Sequence, residues 1–433
     1  MSGASLRANG CVLVIAAALL AIMGDWQPSL TGLWRLPAAF LLLGLAYESW
    51  IASKSGLVAE LLAPENLYLG RGADIRFVCA HALNRTLAIE FAPSAPRSFN
   101  IEGSVEPMRV NAGERAVIAR RVMPNRLGRS QWPPARVRVG GALGLAWWPR
   151  RVVCEAIVHV LPDLFRNAGE VKSLSARGTQ AGIVSGAGAE VLRLRDYRAG
   201  DPPRVIDWKA TARADRLISR EFVHDDGLQI VVMLDAGRSS ALRAGSLDRF
   251  GHYINIAARL AQFAAERGDS VGLVVYADRP LAVLPPARGP NAVARLRKAL
   301  AASSIEAAES NPLYAATRVR SLARHRSLIV MLTDIDDATA ESPLAHAVRY
   351  LLPKHLPFVA GLSSAEAESM ARAPAQTWLD PYRSLAAQEY CVGLERKARA
   401  LKALGAPALV ARPEQLERAV FAAYANFRRR RSA

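Results

Sequence analysis

Two aspartates stand where an open α/β sheet does its chemistry. Asp235 closes the apolar run at 230–234 in LDAGRSS, and Asp334 follows the run at 328–332 in LTDIDD. Both runs read as buried parallel strands, and in such sheets ligands collect at the carboxyl ends of the strands. Paired carboxylates with hydroxyls nearby suit a hard divalent cation, Mg²⁺ above all, because it prefers oxygen ligands and keeps several of its waters. The bland reading is that each aspartate caps the turn or helix after it. A second candidate is the polar stretch RDYRAGDPPRVIDWKATAR at 195–213, where Asp207 and Lys209 have the types of an acid/base pair but no nucleophile beside them. Other reactive signatures are absent: there is no GxxxxGK[ST] loop and no HExxH, and the serine of GIVSG at 182–186 is one place off a nucleophile elbow. An enzyme is therefore not the expectation.

The elements around these residues follow from periodicity. After 226 the apolar pattern alternates between strands and helices: strands at 230–234, 271–276, 328–332, 358–362 and 408–410, a hairpin partner at 281–284, and helices between them. One helix carries Phe250, Ile254, Ala257, Ala261 and Ala264 on a single face. That alternation predicts a doubly wound α/β domain over 227–433, with a basic tail at 428–431. Residues 54–162 differ, with short alternating runs such as IRFVCAHAL and ARVRVGG broken by Gly, Pro and Asn, which predicts a β-sandwich. Residues 163–226 hold the polar stretch between the two.

The N-terminus is apolar in two runs, CVLVIAAALLAIM and LPAAFLLLGLAY, with Trp26, Trp34, Arg35 and Trp50 at their flanks. These predict a transmembrane helical hairpin within 1–53. Arg7 before the first run and Lys54 after the second place both ends, and the soluble domains, in the cytoplasm. Of 56 basic residues only seven are lysine, and the net charge is +18. No finger or RNP pattern accompanies that charge, so specific nucleic-acid binding is not expected, and an Arg-rich surface near anionic lipid is the simpler account. The four cysteines are scattered and suggest neither disulfides nor zinc.

The layout of Asp235 and Asp334 resembles a von Willebrand factor A domain, whose metal site uses D-x-S-x-S after the first strand, a middle-loop Thr and a later Asp. By that resemblance Asp235, Ser239, Ser310 and Asp334 are the metal set for Mg²⁺, with Gly237 in place of one serine. The wider architecture, hairpin then sandwich then GDPPRVIDWKATAR then α/β domain, resembles the bacterial family called domain of unknown function 58. The resemblance implies an inner-membrane protein with a MoxR-type AAA+ ATPase as partner, acting in assembly or maturation of other proteins. Its signature positions here are Glu190, Arg195, Tyr197, Gly200, Asp201, Arg204, Asp207, Trp208, Lys209, Arg213 and Glu221. Physically these allow two arrangements. In one, Arg204 with Asp207 and Arg213 with Glu221 form a charged network anchored by Trp208. In the other, the same groups form an exposed docking face. The alternatives from other classes are a metal-dependent hydrolase using Asp235 and Asp334, and anionic lipid or nucleic-acid binding by the Arg-rich surface.

Overall fold

The computed structural model describes residues 4–26, 32–164, 185–198, 201, 203–223, 227–335 and 341–432. The chain divides into two compact units, Met1–Asp163 and Leu164–Ala433.

In the first unit, helices α1 (Ala8–Trp26) and α2 (Arg35–Ser53) expose much of their apolar surface, including Ile15, Leu19, Phe40 and Leu43. Continuous apolar exposure of that kind marks a surface meant for something other than water. By length and composition α2 is able to cross a membrane, and Ala8–Met23 is a shorter apolar stretch. The strands make two facing sheets and a smaller one. Ala73–Ala80 buries alternate residues Ile75, Phe77 and Cys79, as a strand with one covered face must. Phe77 meets Phe91 of the opposite sheet with ring centroids 5.0 Å apart, and Trp132 closes the layer 6.2 Å from Phe77.

A hairpin of that unit, β1 (Ala135–Gly140) and β2 (Ala146–Val152), is joined to both helices. Glu48 of α2 is fully buried, and its carboxylate accepts the backbone amides of Leu143 at 2.9 Å, Leu145 at 3.0 Å and Ala146 at 3.0 Å. Ser5 and Leu6, just before α1, pair antiparallel with Trp147 and Ala146 of β2. The contact is close enough to demand glycines: a Cβ on Gly141 would stand 1.9 Å from Glu48 Cδ, and one on Gly44 would stand 2.4 Å from Leu145 Cδ1. Sequence reading did not find this joint, because Glu48 follows the apolar run at 36–47 and passes for a residue just outside it.

The second unit begins with the polar stretch, which is a strand–helix–strand unit. β3 (Ser185–Asp196) pairs antiparallel with β4 (Ile218–Val223), bulged between Gly186 and Val191 and again between Val191 and Arg193, and α3 (Trp208–Ala214) lies in the connection. A six-stranded sheet follows, built from β5 (Gln229–Asp235), β6 (Ser270–Tyr276), β7 (Pro280–Ala287), β8 (Leu328–Leu332), β9 (Leu356–Leu362) and β10 (Ala408–Ala411). Their order is β7-β6-β5-β8-β9-β10, with β7 antiparallel and the others parallel. The order reverses beside β5, so the carboxyl ends of β5 and β8 flank the crevice where connections diverge.

Seven helices are described here: α4 (Arg249–Ala265), α5 (Pro290–Ala302), α6 (Pro312–Leu322), α7 (Pro343–Leu351), α8 (Ala365–Arg372), α9 (Asp380–Ala403) and α10 (Pro413–Ser432). Val231, Met233 and Met331 face α6 and α7 through Val319 and Val348. On the other face α4 and α10 meet, Phe263 and Phe421 with centroids 5.0 Å apart. Helices thus cover both sides, which is why β8 and residues 230–234 of β5 are apolar throughout. Two elements differ from the sequence reading. α8 was not expected, its run AEAESMAR having no buried residue to set a period. α9 begins at Asp380 rather than near 385, and the Asp380 carboxylate in its first turn holds the incoming loop by accepting the amides of Gln376 at 2.9 Å and Thr377 at 2.7 Å.

Candidate functional site

At the end of β5 the chain leaves the sheet through Asp235, which is 1% exposed. Its Oδ1 accepts the Gly237 amide at 2.8 Å and the Ser310 hydroxyl, and its Oδ2 accepts the Thr333 hydroxyl at 2.6 Å. Burial pushes the pKa of Asp235 above its ordinary 3.8, with the hydrogen bonds from Ser310 and Thr333 pulling the other way. Ser240 donates to the Asp235 carbonyl at 2.9 Å and fixes the short turn that follows. The loop bearing Ser310 is tied down by backbone bonds, Glu306 N to Ala236 O at 2.8 Å and Asn311 N to Ala277 O at 2.7 Å. Asn311 then caps α6 by accepting the Tyr314 amide at 3.1 Å.

Gly237 has its explanation in this loop. A Cβ there would come within 2.1 Å of Ser310 Oγ and 3.1 Å of the Ala308 carbonyl. The Ser310 hydroxyl therefore sits where a serine at 237 would begin, and glycine is what the packing requires.

Asp334, after β8, turns to a different partner. Its carboxylate pairs with the guanidinium of Arg249, whose side chain is 3% exposed against 14% for Asp334. Arg249 also donates to the Tyr390 hydroxyl at 3.3 Å. Arg249 occupies the first turn of α4, opened by the Asp248 cap on the Gly251 amide at 2.7 Å. The positive end of a helix disfavours a cation, so a buried arginine there needs a carboxylate opposite it. Tyr253, one turn on and fully buried, bridges the same strand ends by donating to Thr333 O at 3.1 Å and accepting the Leu362 amide at 3.2 Å.

The sequence-predicted set thus separates. Asp235 and Ser310 are in contact, Ser239 lies partly buried in the turn after Asp235, and Asp334 is held by Arg249. In this arrangement the residues are taken up by partners of the protein's own: both Asp235 oxygens accept hydrogens from the protein, and a guanidinium supplies to Asp334 the positive charge a cation would bring. Thr333, Arg249, Tyr253 and Tyr390 were missed. An arginine in the first turn of a helix that starts DRF was the available signal.

The signature stretch divides by residue. Arg195 grips Asp201 with two bonds, Nη1 to Oδ2 at 2.8 Å and Nη2 to Oδ1 at 2.9 Å, and the Arg198 amide adds a third at 3.0 Å. The bonds from Arg195 hold the Asp201 carboxyl well below the usual range, at about 2. Tyr197 closes the turn by donating to the Asp201 carbonyl at 2.8 Å. Asp207 caps α3 on the Ala210 amide at 3.0 Å and accepts Arg220 Nε at 2.9 Å. Arg220 first, then the Ala210 amide, lowers its pKa. Among the described residues Arg220 is a partner of Asp207, because β4 brings that arginine alongside the start of α3, while the expected Arg204–Asp207 pair lies outside the described residues. Trp208, expected to anchor either a charged network or an exposed docking face, is 66% exposed, and Lys209 and Arg213 are exposed on the same short helix. Gly200 and the side chains of Glu190, Arg204 and Glu221 lie outside the described residues, so the expected Arg213–Glu221 pair does too.

Comparison with known proteins gives a family for part of the chain. Residues 193–359, from the end of β3 to β9, match the family described as "Protein of unknown function DUF58". Among curated proteins none matches. Solved structures similar in part include the conserved hypothetical protein BatB from Bacteroides thetaiotaomicron, 18% identical over 32% of this chain and 69% of that one with a TM-score of 0.28. Another is proximal thread matrix protein 1 from the mussel byssus, 12% identical over 38% of this chain and 47% of that one with a TM-score of 0.26.

Proposed function

We propose that this chain is a membrane-anchored, cytoplasm-facing interaction protein of the bacterial inner membrane. Its von Willebrand factor A-like domain, carrying the signature hairpin, docks a protein partner. The partner proposed is a MoxR-type AAA+ ATPase, the pair acting in assembly or maturation of other proteins. One observation carries the reading: α3 presents Trp208 at 66% exposure with Lys209 and Arg213, while Asp201 and Asp207 are held by Arg195 and Arg220. Tryptophan and arginine on a rigid support are the usual anchors of a protein interface.

The strand-end residues support an interaction domain that works without a divalent cation, because Arg249 supplies the charge a metal would bring to Asp334. A hydrolase built on Asp235 and Asp334 is the weaker reading for the same reason. The test is capture of a MoxR-type ATPase by the full-length chain in detergent, in Mg²⁺ and in EDTA. Capture is expected in both, and Trp208→Ala is expected to weaken it by about 2 kcal/mol, roughly thirtyfold. Undiminished capture by Trp208→Ala removes α3 as the docking element, and capture lost in EDTA removes the metal-free reading.

A further inference from the structure

The joint between α2 and the β1–β2 turn bears on where the sandwich sits relative to a bilayer. Gly44 is the tenth residue of α2, and the Leu143–Leu145 turn already lies against it: a Cβ on Gly44 would be 2.4 Å from Leu145 Cδ1 and 3.4 Å from Leu143 Cδ1. At 1.5 Å per residue, only about 15 Å of α2 extends beyond that turn, half the ~30 Å hydrocarbon thickness. A sandwich standing clear of the membrane would leave α2 unable to cross it. Tyr47 and Trp50, 48% and 55% exposed on α2, have the character of headgroup-level residues, and Lys54 lies over the Trp50 ring at 4.4 Å. Gly44 is six residues from Trp50, so Leu143 reaches about 9 Å deeper than that ring.

Irregular backbone survives at such depth only when its polar groups are satisfied by protein. Five amides of this turn meet the condition. The amides of Leu143, Leu145 and Ala146 go to Glu48, those of Gly141 and Gly144 go to Ala146 O and Gly141 O at 3.1 Å each, and the Leu143 carbonyl accepts Asn9 Nδ2 at 3.2 Å. Leu143 itself remains 41% exposed beside the helix.

We infer that the β1–β2 turn is a membrane-inserting tip: Leu143 enters the boundary between phospholipid headgroups and acyl chains next to α2, and Glu48 supplies the acceptor that lets the turn's backbone leave water. The inference rests on α1 and α2 being a membrane anchor, and the experiment separates the two. The full-length chain, with Cys11 and Cys391 replaced by alanine and the remaining Cys79 and Cys154 buried, is labelled with an environment-sensitive fluorophore at Leu19→Cys, Leu143→Cys or Glu155→Cys. Each variant is reconstituted in phosphatidylethanolamine/phosphatidylglycerol vesicles containing a lipid spin-labelled near the top of its acyl chain. Glu155 is exposed at the opposite end of the hairpin, beyond the Ala135–Val152 pair, and reports water. The expected result is emission cut about twofold at 19 and at 143 and unchanged at 155, as for a segment buried about 5–10 Å into the boundary. Quenching at 19 with position 143 behaving like 155 overturns the tip and leaves the anchor standing. No quenching at 19 overturns the anchor and the tip together.

Discussion

The strand-end pocket and the signature hairpin both hold aspartates by specific partners, yet they leave opposite surfaces behind. In the pocket, both carboxylates that sequence reading offered to a ligand are used internally: Asp235 by Ser310, Thr333 and the Gly237 amide, Asp334 by Arg249. In the hairpin, Asp201 and Asp207 are likewise consumed, yet Trp208, Lys209 and Arg213 of α3 remain exposed to solvent. The same chemistry, carboxylate held by donor, closes one region and frames the other. What differs is burial: the pocket sits under covered strands, while α3 has no buried residue at all.

That contrast can be broken from either side. The largest effect belongs to the pocket. Arg249→Ala strips the partner from Asp334 inside the fold and is expected to cost about 3–5 kcal/mol, read as a lowered urea midpoint of the full-length chain in detergent. A loss below about 1 kcal/mol would mean that the pair is solvated and the pocket open. Next is Gly237→Ser, which restores the serine of the metal motif. It should lose about 1–3 kcal/mol by overpacking against Ser310, and adding Ser310→Ala should recover part of that loss. If Gly237→Ser instead gains stability with Mg²⁺, the pocket accepts a cation after all.

Acid should move the two regions in opposite directions. Asp235 has a folded pKa raised above 3.8, so the pocket is most stable below that value and loses stability as pH rises through the raised one. Asp201, held at about 2 against an ordinary 3.8, contributes above 3.8 and loses that contribution as pH falls through about 2. Hydrogen exchange, corrected for intrinsic rates, is therefore expected to slow in β5 as pH falls through the raised pKa of Asp235 and to quicken around the Asp201 turn only from about pH 4 to 2. Parallel responses would dissolve the contrast. The smallest effect on stability is Trp208→Ala, within about 0.5 kcal/mol by the same urea measurement, since an exposed side chain has little to lose on folding. A larger loss would make Trp208 part of a core.

How much was legible depends on the range of the signal. β5 and β8, with Asp235 and Asp334 at their ends, could be read because an unbroken apolar run bounded by a carboxylate is local. Arg249 and Tyr390 could not be assigned to the pocket, because the first pairs across 85 residues and the second across 141. Gly237 looked like a lost ligand, and only the position of Ser310 shows it to be a steric need. The signature failed differently. LRLRD and ISREFV alternate polar residues with apolar ones so evenly that neither face declares itself, so the β-hairpin beneath the charged residues was not read. Glu48 was hidden by its place directly after an apolar run.

The short strand at Ser5–Leu6 pairs with Trp147 and Ala146, about 140 residues later in the chain. Synthesis at roughly 5–20 residues per second leaves that strand without its partner for about 7–28 seconds. α1 is therefore made long before the element that will clasp its start exists, and the sandwich completes itself by capturing an end already in place. An N-terminal fusion would hang its extra mass on that late closure, whereas a C-terminal one would not touch it.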